Sequence, residues 1–480
     1  MVFSSILFLF LFLPVTLLLY LIVGPRFRNS LLLLMSLLFY AWGEKGYLLL
    51  MVCSIAANYF FGRFIAAAST EKKKYLVAAA VALNLAPLVF FKYSSFFSVV
   101  AEDVLSLVGI SSNLAFSPLH LPIGISFFTF QAISYIIDVA RRVSPPQKNI
   151  LDIGLYITFF PQLIAGPIVR YHDIAAQIAS RRTRLEDFSC GVERFIIGLA
   201  KKVLIANQMA VIGDLVFGFG PGELGMATAW LGVICYTLQI YFDFSGYSDM
   251  AIGLARMFGF RLLENFNYPY ISRSVQEFWR RWHISLSNWF RDYLYIPLGG
   301  NRGSSGRTCF NLLLVFFLCG FWHGASWNFI IWGLFHGFFL VLERSRFGII
   351  LKQLPAVVRH LYVLLVVVNG WVFFRAESID QAGNFFTAMY GLGEGAGVNP
   401  FLAIGMDPLF MISLVLALLL STPLWGWICV RAGKMTTTME ERPSGFGSQV
   451  TRTVWLSTLL LLTATTLAVD AYNPFIYFRF

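Results

Sequence analysis

The sequence predicts an all-α, polytopic integral membrane protein with about 11 transmembrane helices. Composition is the first observation. Of 480 residues, 58% are hydrophobic and only 13% are charged, and the mean hydropathy is +0.71; the charged share is about half that of a soluble domain. Aromatic content is the second: 49 phenylalanines and 12 tryptophans are too many for an ordinary water-soluble core. The third is a succession of apolar runs, most of bilayer length. Together these exclude a disordered chain, a collagen-like or disulfide scaffold and a water-soluble enzyme.

Apolar runs near 3–23, 30–61, 76–101, 121–139, 151–169, 191–218, 227–258, 309–343, 359–374, 402–428 and 453–470 are the expected spans. A crossing helix needs about 20 residues, so the longer runs have room for two helices, or for a helix and a re-entrant piece. No repeat at a fixed period is visible, which argues against an inverted-repeat transporter. The run at 3–23 has no Lys or Arg before it, and Arg26 and Arg28 follow it. That order predicts a retained first helix with the N-terminus outside the cytoplasm, not a cleaved signal.

The net charge of +11 is read as positive loops on one membrane face, not as a nucleic-acid footprint. Basic clusters mark the cytoplasmic side: Lys72 to Lys74; Arg141, Arg142 and Lys148; Arg170, Arg181, Arg182 and Arg184; Arg344, Arg346 and Lys352; and Arg431, Lys434, Arg442 and Arg452. One run follows the last cluster, so residues 471–480 are expected on the outer side. Cys53, Cys190, Cys235, Cys309, Cys319 and Cys429 are scattered, mostly in apolar runs, without paired metal spacing. They read as buried thiols, and no metal site is expected.

Residues 260–308 are too polar to span and too aromatic for a free loop. Arg273, Arg280, Arg281, Arg291, Arg302 and Arg307 alternate with Phe278, Trp279, Trp282, Trp289, Phe290, Tyr293 and Tyr295. Arginine and tryptophan together favour the membrane–water boundary. The helical spacing of Phe278, Trp282, Ser285 and Trp289 predicts amphipathic helices lying in the cytoplasmic interface. Composition alone equally describes a surface anchor with no chemistry.

Ionisable groups inside apolar segments are functional candidates. His323 lies within such a run. A helix starting near Cys309 would carry it roughly 20 Å along, deep in the membrane. Burial leaves two readings open: a proton acceptor, or a packing histidine hydrogen-bonded to a neighbour. His336 cannot share its helix face and is expected to be structural, and His283 by itself reads as a ligand-facing polar group or, more simply, an exposed histidine. Asp243 and Asp249 flank Ser245-Gly246-Tyr247, where glycine permits a helix break and the acids either line a cavity or end a helix. Asp138 is expected to pair with Arg141 or Arg142. Pro161, Gly166 and Pro167 predict non-helical backbone within a protein-lined cavity. There is no phosphate-binding glycine loop, no His-Glu-x-x-His and no Gly-x-Ser-x-Gly. The residues alone leave both an enzyme and a transporter open.

The string QEFWRRWHISLSNWFRDYLYIPLGGNR (276–302), followed by Gly320-Phe321-Trp322-His323-Gly324, resembles the membrane-bound O-acyltransferase family. LPIGISFFTFQAISYIIDVARR (121–142), FFPQLIAGPI (159–168), YFDFSGYSDMAIGLARMFGFRLLENFNYPY (241–270) and the ending NPFIYFRF (473–480) resemble its alginate O-acetylation branch. The resemblance implies one domain over 1–480, with helices in a ring around a central tunnel and its thin partition. Within it, 260–308 is the cytoplasmic interfacial segment, 309–343 carries the catalytic histidine and 471–480 is an extracytoplasmic aromatic tail. The family's nearly invariant histidine maps onto His323, and its second position, an Asn, Asp or His, maps onto His283.

The resemblance further implies acetyl transfer to an extracytoplasmic polysaccharide such as alginate, cellulose or peptidoglycan. The donor would be a cytoplasmic thioester, acetyl-CoA or an acyl-carrier protein, with no bound cofactor. His323 is then the general base and His283 orients or polarises the acyl group. Arg280, Arg281, Trp282, Asn288 and Arg291 are expected to meet the anionic donor. Tyr477 is either an acyl relay activated by His323 or an interfacial anchor. Expected partners are membrane lipid and an extracytoplasmic acyltransferase, in a bacterial inner membrane with both termini outside. The alternatives are a D-alanyl transferase loaded from a carrier protein, and an export pore without covalent chemistry.

Overall fold

The computed structural model describes residues 1–111, 114, 116–220, 222–393, 407–424, 446–469 and 472–476. The principal helices are α1 (Phe8–Ile22), α2 (Arg28–Gly43), α3 (Leu48–Ala67), α4 (Thr70–Leu107), α5 (Ile125–Ala140) and α6 (Ile150–Thr158). They continue with α7 (Leu185–Phe217), α8 (Met226–Met257), α9 (Val275–Arg281), α10 (Ile284–Phe290), α11 (Ser305–His323) and α12 (Trp327–Leu342). The last are α13 (Ala356–Arg375), α14 (Ile379–Met389), α15 (Pro408–Leu420) and α16 (Phe446–Val469). No strand occurs among the described residues. Among the described residues, six helices are long and apolar enough to cross a membrane, and four shorter apolar ones accompany them. Phe10, Leu21, Ile22, Leu49, Phe64 and Leu461 face outward, as a lipid-facing surface requires. The protein is a multi-pass, all-helical membrane protein. The run at 30–61 divides into α2 and α3, and the run at 309–343 into α11 and α12.

The buried spine is α8, whose 32 residues are enclosed along most of their length. It packs on α7 through reciprocal glycines. A Cβ on Gly198 would lie 2.6 Å from the Gly246 carbonyl oxygen, and one on Gly246 would lie 2.8 Å from that of Gly198. Only glycine lets two backbones approach this closely. Gly246 therefore serves close packing, and α8 runs through Ser245-Gly246-Tyr247 without the break that a glycine there permits. Both flanking acids are ion-paired: Asp249 with Arg194 and Lys201 at 2.6 and 2.7 Å, Asp243 with Lys202 at 2.8 Å. Lys202 projects from a π-helical segment, Lys201–Ala206, inside α7; such bulges recur at functional sites.

After α6 the chain doubles back. Tyr156 Oη donates to the Val169 carbonyl at 2.9 Å, and Gln162 Nε2 donates to the Tyr156 carbonyl at 2.6 Å. Residues 153–169 are all buried; Gly166 and Pro167 lie in irregular backbone enclosed by protein, whereas Pro161 falls in the first turn of a short helix, Phe160–Leu163, where proline is tolerated. Asp138 differs from expectation. It accepts from Tyr293 Oη at 2.8 Å and from the His172 main-chain N–H at 3.1 Å, and pairs with His172 Nδ1 at 2.9 Å. Arg141 instead donates to the Asp292 carbonyl at 2.9 Å.

Candidate active site

Helices α11 and α12 form a hairpin whose tip carries His323. Its arms are drawn together by Gly320 and Gly333, where added Cβ atoms would each lie 2.2 Å from the partner helix's carbonyl oxygen, Phe329 and Phe316 respectively. His323 is the last residue of α11 and is buried. Its ring lies edge-on to Trp332 and Phe374, with centroids 5.1 Å away in both cases.

Two spaces meet at this histidine. A cavity of about 410 Å³ is lined by Lys92, residues 120–127, Ile164, Trp322 and His323. A narrower chamber is lined by Ile240, Phe244, Trp282, His323, Trp332, Trp371, Phe374 and Ile476. An imidazole shared by two spaces is placed to handle a proton for groups arriving from either. Lys92 Nζ donates to the carbonyls of Trp322 and His323, and Tyr93 Oη to that of Phe321. One turn of α4 therefore satisfies three consecutive carbonyls at the end of α11, which would otherwise be orphaned. Lys92 is a site-lining residue that sequence reasoning misses, although a lone lysine in the apolar run at 76–101 is signal enough.

Residues 260–308 form the wall beneath. The spacing that predicts continuous amphipathic helices is interrupted at Trp282 and His283, which separate α9 from α10. Their aromatic side chains are buried in protein, not laid on lipid: Phe278, Trp279, Trp282, Leu286, Trp289 and Phe290 belong to the core. Glu343 fixes the start of α9 by accepting the N–H groups of Val275 and Gln276 at 2.6 and 3.0 Å.

His283 is buried and has φ 43°. Asn, Asp and His are the side chains enriched at positive φ, so the residue set that the family resemblance allows at this position also suits its backbone. Asn265 anchors the turn. Its main-chain oxygen accepts the Ile284 N–H at 2.9 Å, its Oδ1 accepts from Ser285 Oγ at 2.9 Å, and its Nδ2 donates to Ser248 Oγ at 3.0 Å. That network makes Asn265 Oδ1 an acceptor, so His283 Nδ1, 3.0 Å away, carries the proton and donates it. His283 Nε2 is left a buried lone pair with no hydrogen-bond partner. Burial pushes the imidazole down to about 3, so it is neutral at ordinary pH. The ring stands edge-on to Phe244, a chamber residue, at 4.6 Å.

Of the expected donor-binding residues, Trp282 alone lines the chamber. Arg280 is exposed, Arg281 pairs with Glu277 at 3.0 Å, and Arg291 pairs with Asp292 at 2.7 Å. Asn288 is half-buried on α10. Tyr477 lies outside the described residues, as does Cys429. Among the described residues, no group of three or more His, Cys, Asp or Glu is arranged to hold a metal.

This arrangement, a histidine at a hairpin tip inside a multi-pass helical bundle and bordering two spaces, is compatible with a membrane-embedded transferase. Residues 140–379 match the model of the MBOAT, membrane-bound O-acyltransferase family. Over 399 residues the chain is 46% identical to a probable alginate O-acetylase of Azotobacter vinelandii, covering 82% of this chain and 79% of that protein. It is 42% identical to a probable alginate O-acetylase of Pseudomonas putida, over the full length of both. It is 39% identical to a peptidoglycan O-acetyltransferase of Helicobacter pylori, over 82% of this chain and 80% of the other. The chain belongs to the membrane-bound O-acyltransferase family and is an O-acyltransferase.

Proposed function

We propose that this enzyme takes an acetyl group from a cytoplasmic thioester, acetyl-CoA or an acyl-carrier protein, and passes it through the membrane for O-acetylation of an extracytoplasmic polysaccharide. The observation that carries the reading is that His323 borders both the larger cavity and the narrower chamber. The polymer is of the alginate, cellulose or peptidoglycan class, in keeping with what the relatives' names say of those proteins. An extracytoplasmic acyltransferase completes the transfer. The protein sits in a bacterial inner membrane, with about 11 crossings in a ring around the tunnel that holds His323.

Both termini are outside. Two observations support this reading: Asn473 Nδ2 donates to the Ser4 carbonyl at 2.9 Å, which brings the two end segments together, and the basic clusters suit cytoplasmic loops.

In this mechanism the neutral His323 imidazole takes the proton from an acceptor hydroxyl as its oxygen attacks the thioester carbonyl. The tetrahedral intermediate collapses, the C–S bond breaks, and the imidazolium returns the proton to the departing thiolate. His283 orients the donor. With Nδ1–H given to Asn265, its Nε2 accepts a donor N–H group and does not polarise a carbonyl. Trp282 and Asn288, with Arg280, Arg281 and Arg291 at the cytoplasmic mouth, receive the donor. Tyr477 is the first acceptor and carries the acetyl outward as an aryl ester, its hydroxyl activated by His323.

Replacing His323 with alanine is expected to abolish polymer acetylation in cells while leaving protein levels normal; full acetylation would remove the role. A Tyr477→Phe variant keeps the ring and loses the nucleophile, and undiminished acetylation would reduce the tail to an anchor. Co-purification with a small acidic carrier protein, and transfer of D-alanine in place of acetate, would replace the acetyl reading.

A further inference from the structure

Residues 472–476 are held by a polar seat that the mechanism above leaves unused. Lys202 and Asp243 form an ion pair at 2.8 Å, each side chain only 1% exposed. The Lys202 ammonium has three protons. One faces Asp243, a second goes to Asn207 Oδ1 at 2.8 Å, and the third goes to the main-chain oxygen of Pro474. Asp243 Oδ2 accepts the main-chain N–H of Ile476 at 2.9 Å. Phe475 packs against Tyr247 with ring centroids 4.7 Å apart, and Ile476 reaches the chamber that His323 lines.

The third ammonium proton and Asp243 Oδ2 are therefore matched only while the tail is in place. Without it, one ammonium proton and one carboxylate oxygen would be buried and unmatched, which is costly inside a membrane protein. Both contacts are to main-chain atoms two residues apart, so they read the register of the tail and not its side chains.

We propose that Lys202, Asp243 and Asn207 are a main-chain clamp that seats the C-terminal tail and sets the register in which it enters the His323 chamber. Its consequence for catalysis, the presentation of Tyr477, rests on the relay reading above. Lys202 and Asp243 are positioning residues. The π-helical segment turns Lys202 toward α8, and the Gly198–Gly246 approach holds the two helices close enough for the pair to form.

Removing one partner would strand a buried charge, so the test uses the double variant Lys202→Met/Asp243→Leu. Replacing a buried ion pair by apolar residues of similar size is generally tolerated. The reporter is Ile476→Cys in the full-length protein with its six native cysteines replaced, treated in intact cells with a membrane-impermeant maleimide. With the clamp intact, labelling is slow; in the double variant it rises at least about tenfold, at equal protein levels and with an unchanged melting temperature. Equal labelling rates overturn the clamp. Raised labelling with acetylation lost upholds both readings. Raised labelling with undiminished acetylation upholds the clamp and overturns the relay. As a second arm, a chain ending at residue 471 is supplied with a synthetic peptide of residues 472–480. Recovery of transfer with the clamp present, and none with the double variant, is expected; equal recovery in both overturns the clamp.

Discussion

Lys92 Nζ donates to the main-chain oxygens of Trp322 and His323, at 2.6 and 3.0 Å, and so ties the middle of α4 to the end of the helix that carries His323. A cation at a helix C-terminus also complements the partial negative charge gathered there. Lys92→Met removes both bonds and is expected to cost about 1–3 kcal/mol of stability. Freed of its tether, the hairpin tip shifts, and small displacements of a reacting group lower rates by about ten- to a hundredfold. Lys92→Arg keeps the charge and recovers part of the loss. Acyl transfer in membranes, read beside melting temperature in detergent, checks this. A Lys92→Met enzyme that keeps full activity would make the lysine dispensable.

The approach of Gly198 to Gly246 makes a second prediction. In Gly246→Ala, the new Cβ lands 2.8 Å from the Gly198 carbonyl oxygen and 3.1 Å from the Lys202 main-chain nitrogen, both backbone atoms that cannot swing aside. The helices must part, at about 1–3 kcal/mol. Gly306, near the start of α11, has nothing within 4 Å of its Cβ position. Gly306→Ala should be neutral or stabilising by less than about 1 kcal/mol. Parallel melting curves of the two variants check the contrast.

Much of this arrangement is legible in the sequence, for identifiable reasons. Apolar run length marks the helices, because a bilayer imposes a length, and a histidine amid Phe and Trp marks the site, because burial of such a group has few uses. Gly246 misleads: the same residue type breaks helices and brings them together, and only the neighbouring helix decides which. Asp138 misleads because Arg141 is close in sequence, whereas Tyr293 and His172 come near only through tertiary packing. The aromatic stretch at 260–308 reads as interfacial because tryptophan suits a membrane boundary and a protein core alike. Lys92 was legible from its isolation among apolar residues and was passed over beside the more conspicuous histidines.

Asp138 yields a third prediction. Its carboxylate receives Tyr293 Oη and the His172 main-chain N–H and pairs with His172 Nδ1. In Asp138→Asn an amide N–H must face at least one of those donors, a loss of about 2–3 kcal/mol. Arg141→Ala removes only a partly exposed contact with the Asp292 carbonyl and the Tyr293 ring, and should cost under about 1 kcal/mol. Comparable losses from the two substitutions would restore the Asp138–Arg141 pairing that the sequence suggests.

His283 makes the last prediction, through pH. Burial holds its imidazole down to about 3 in the folded protein, against about 6.5 when unfolded. Below the unfolded value, the unfolded chain takes up a proton that the folded one refuses. Stability is therefore unaffected by this group above about pH 6.5 and falls as the pH drops below it, by about 2 kcal/mol at pH 5. His283→Asn removes the titration while keeping a residue that accepts the left-handed backbone. Relative to its own stability at pH 7, the Asn variant should thus lose about 2 kcal/mol less than the parent on going to pH 5, with donor binding weakened at both values because the Nε2 lone pair is gone. Unfolding in detergent at the two pH values measures the first effect. An identical acid response in parent and variant would mean that the folded protein takes up the proton as readily as the unfolded chain, and that burial does not hold the ring neutral at pH 5.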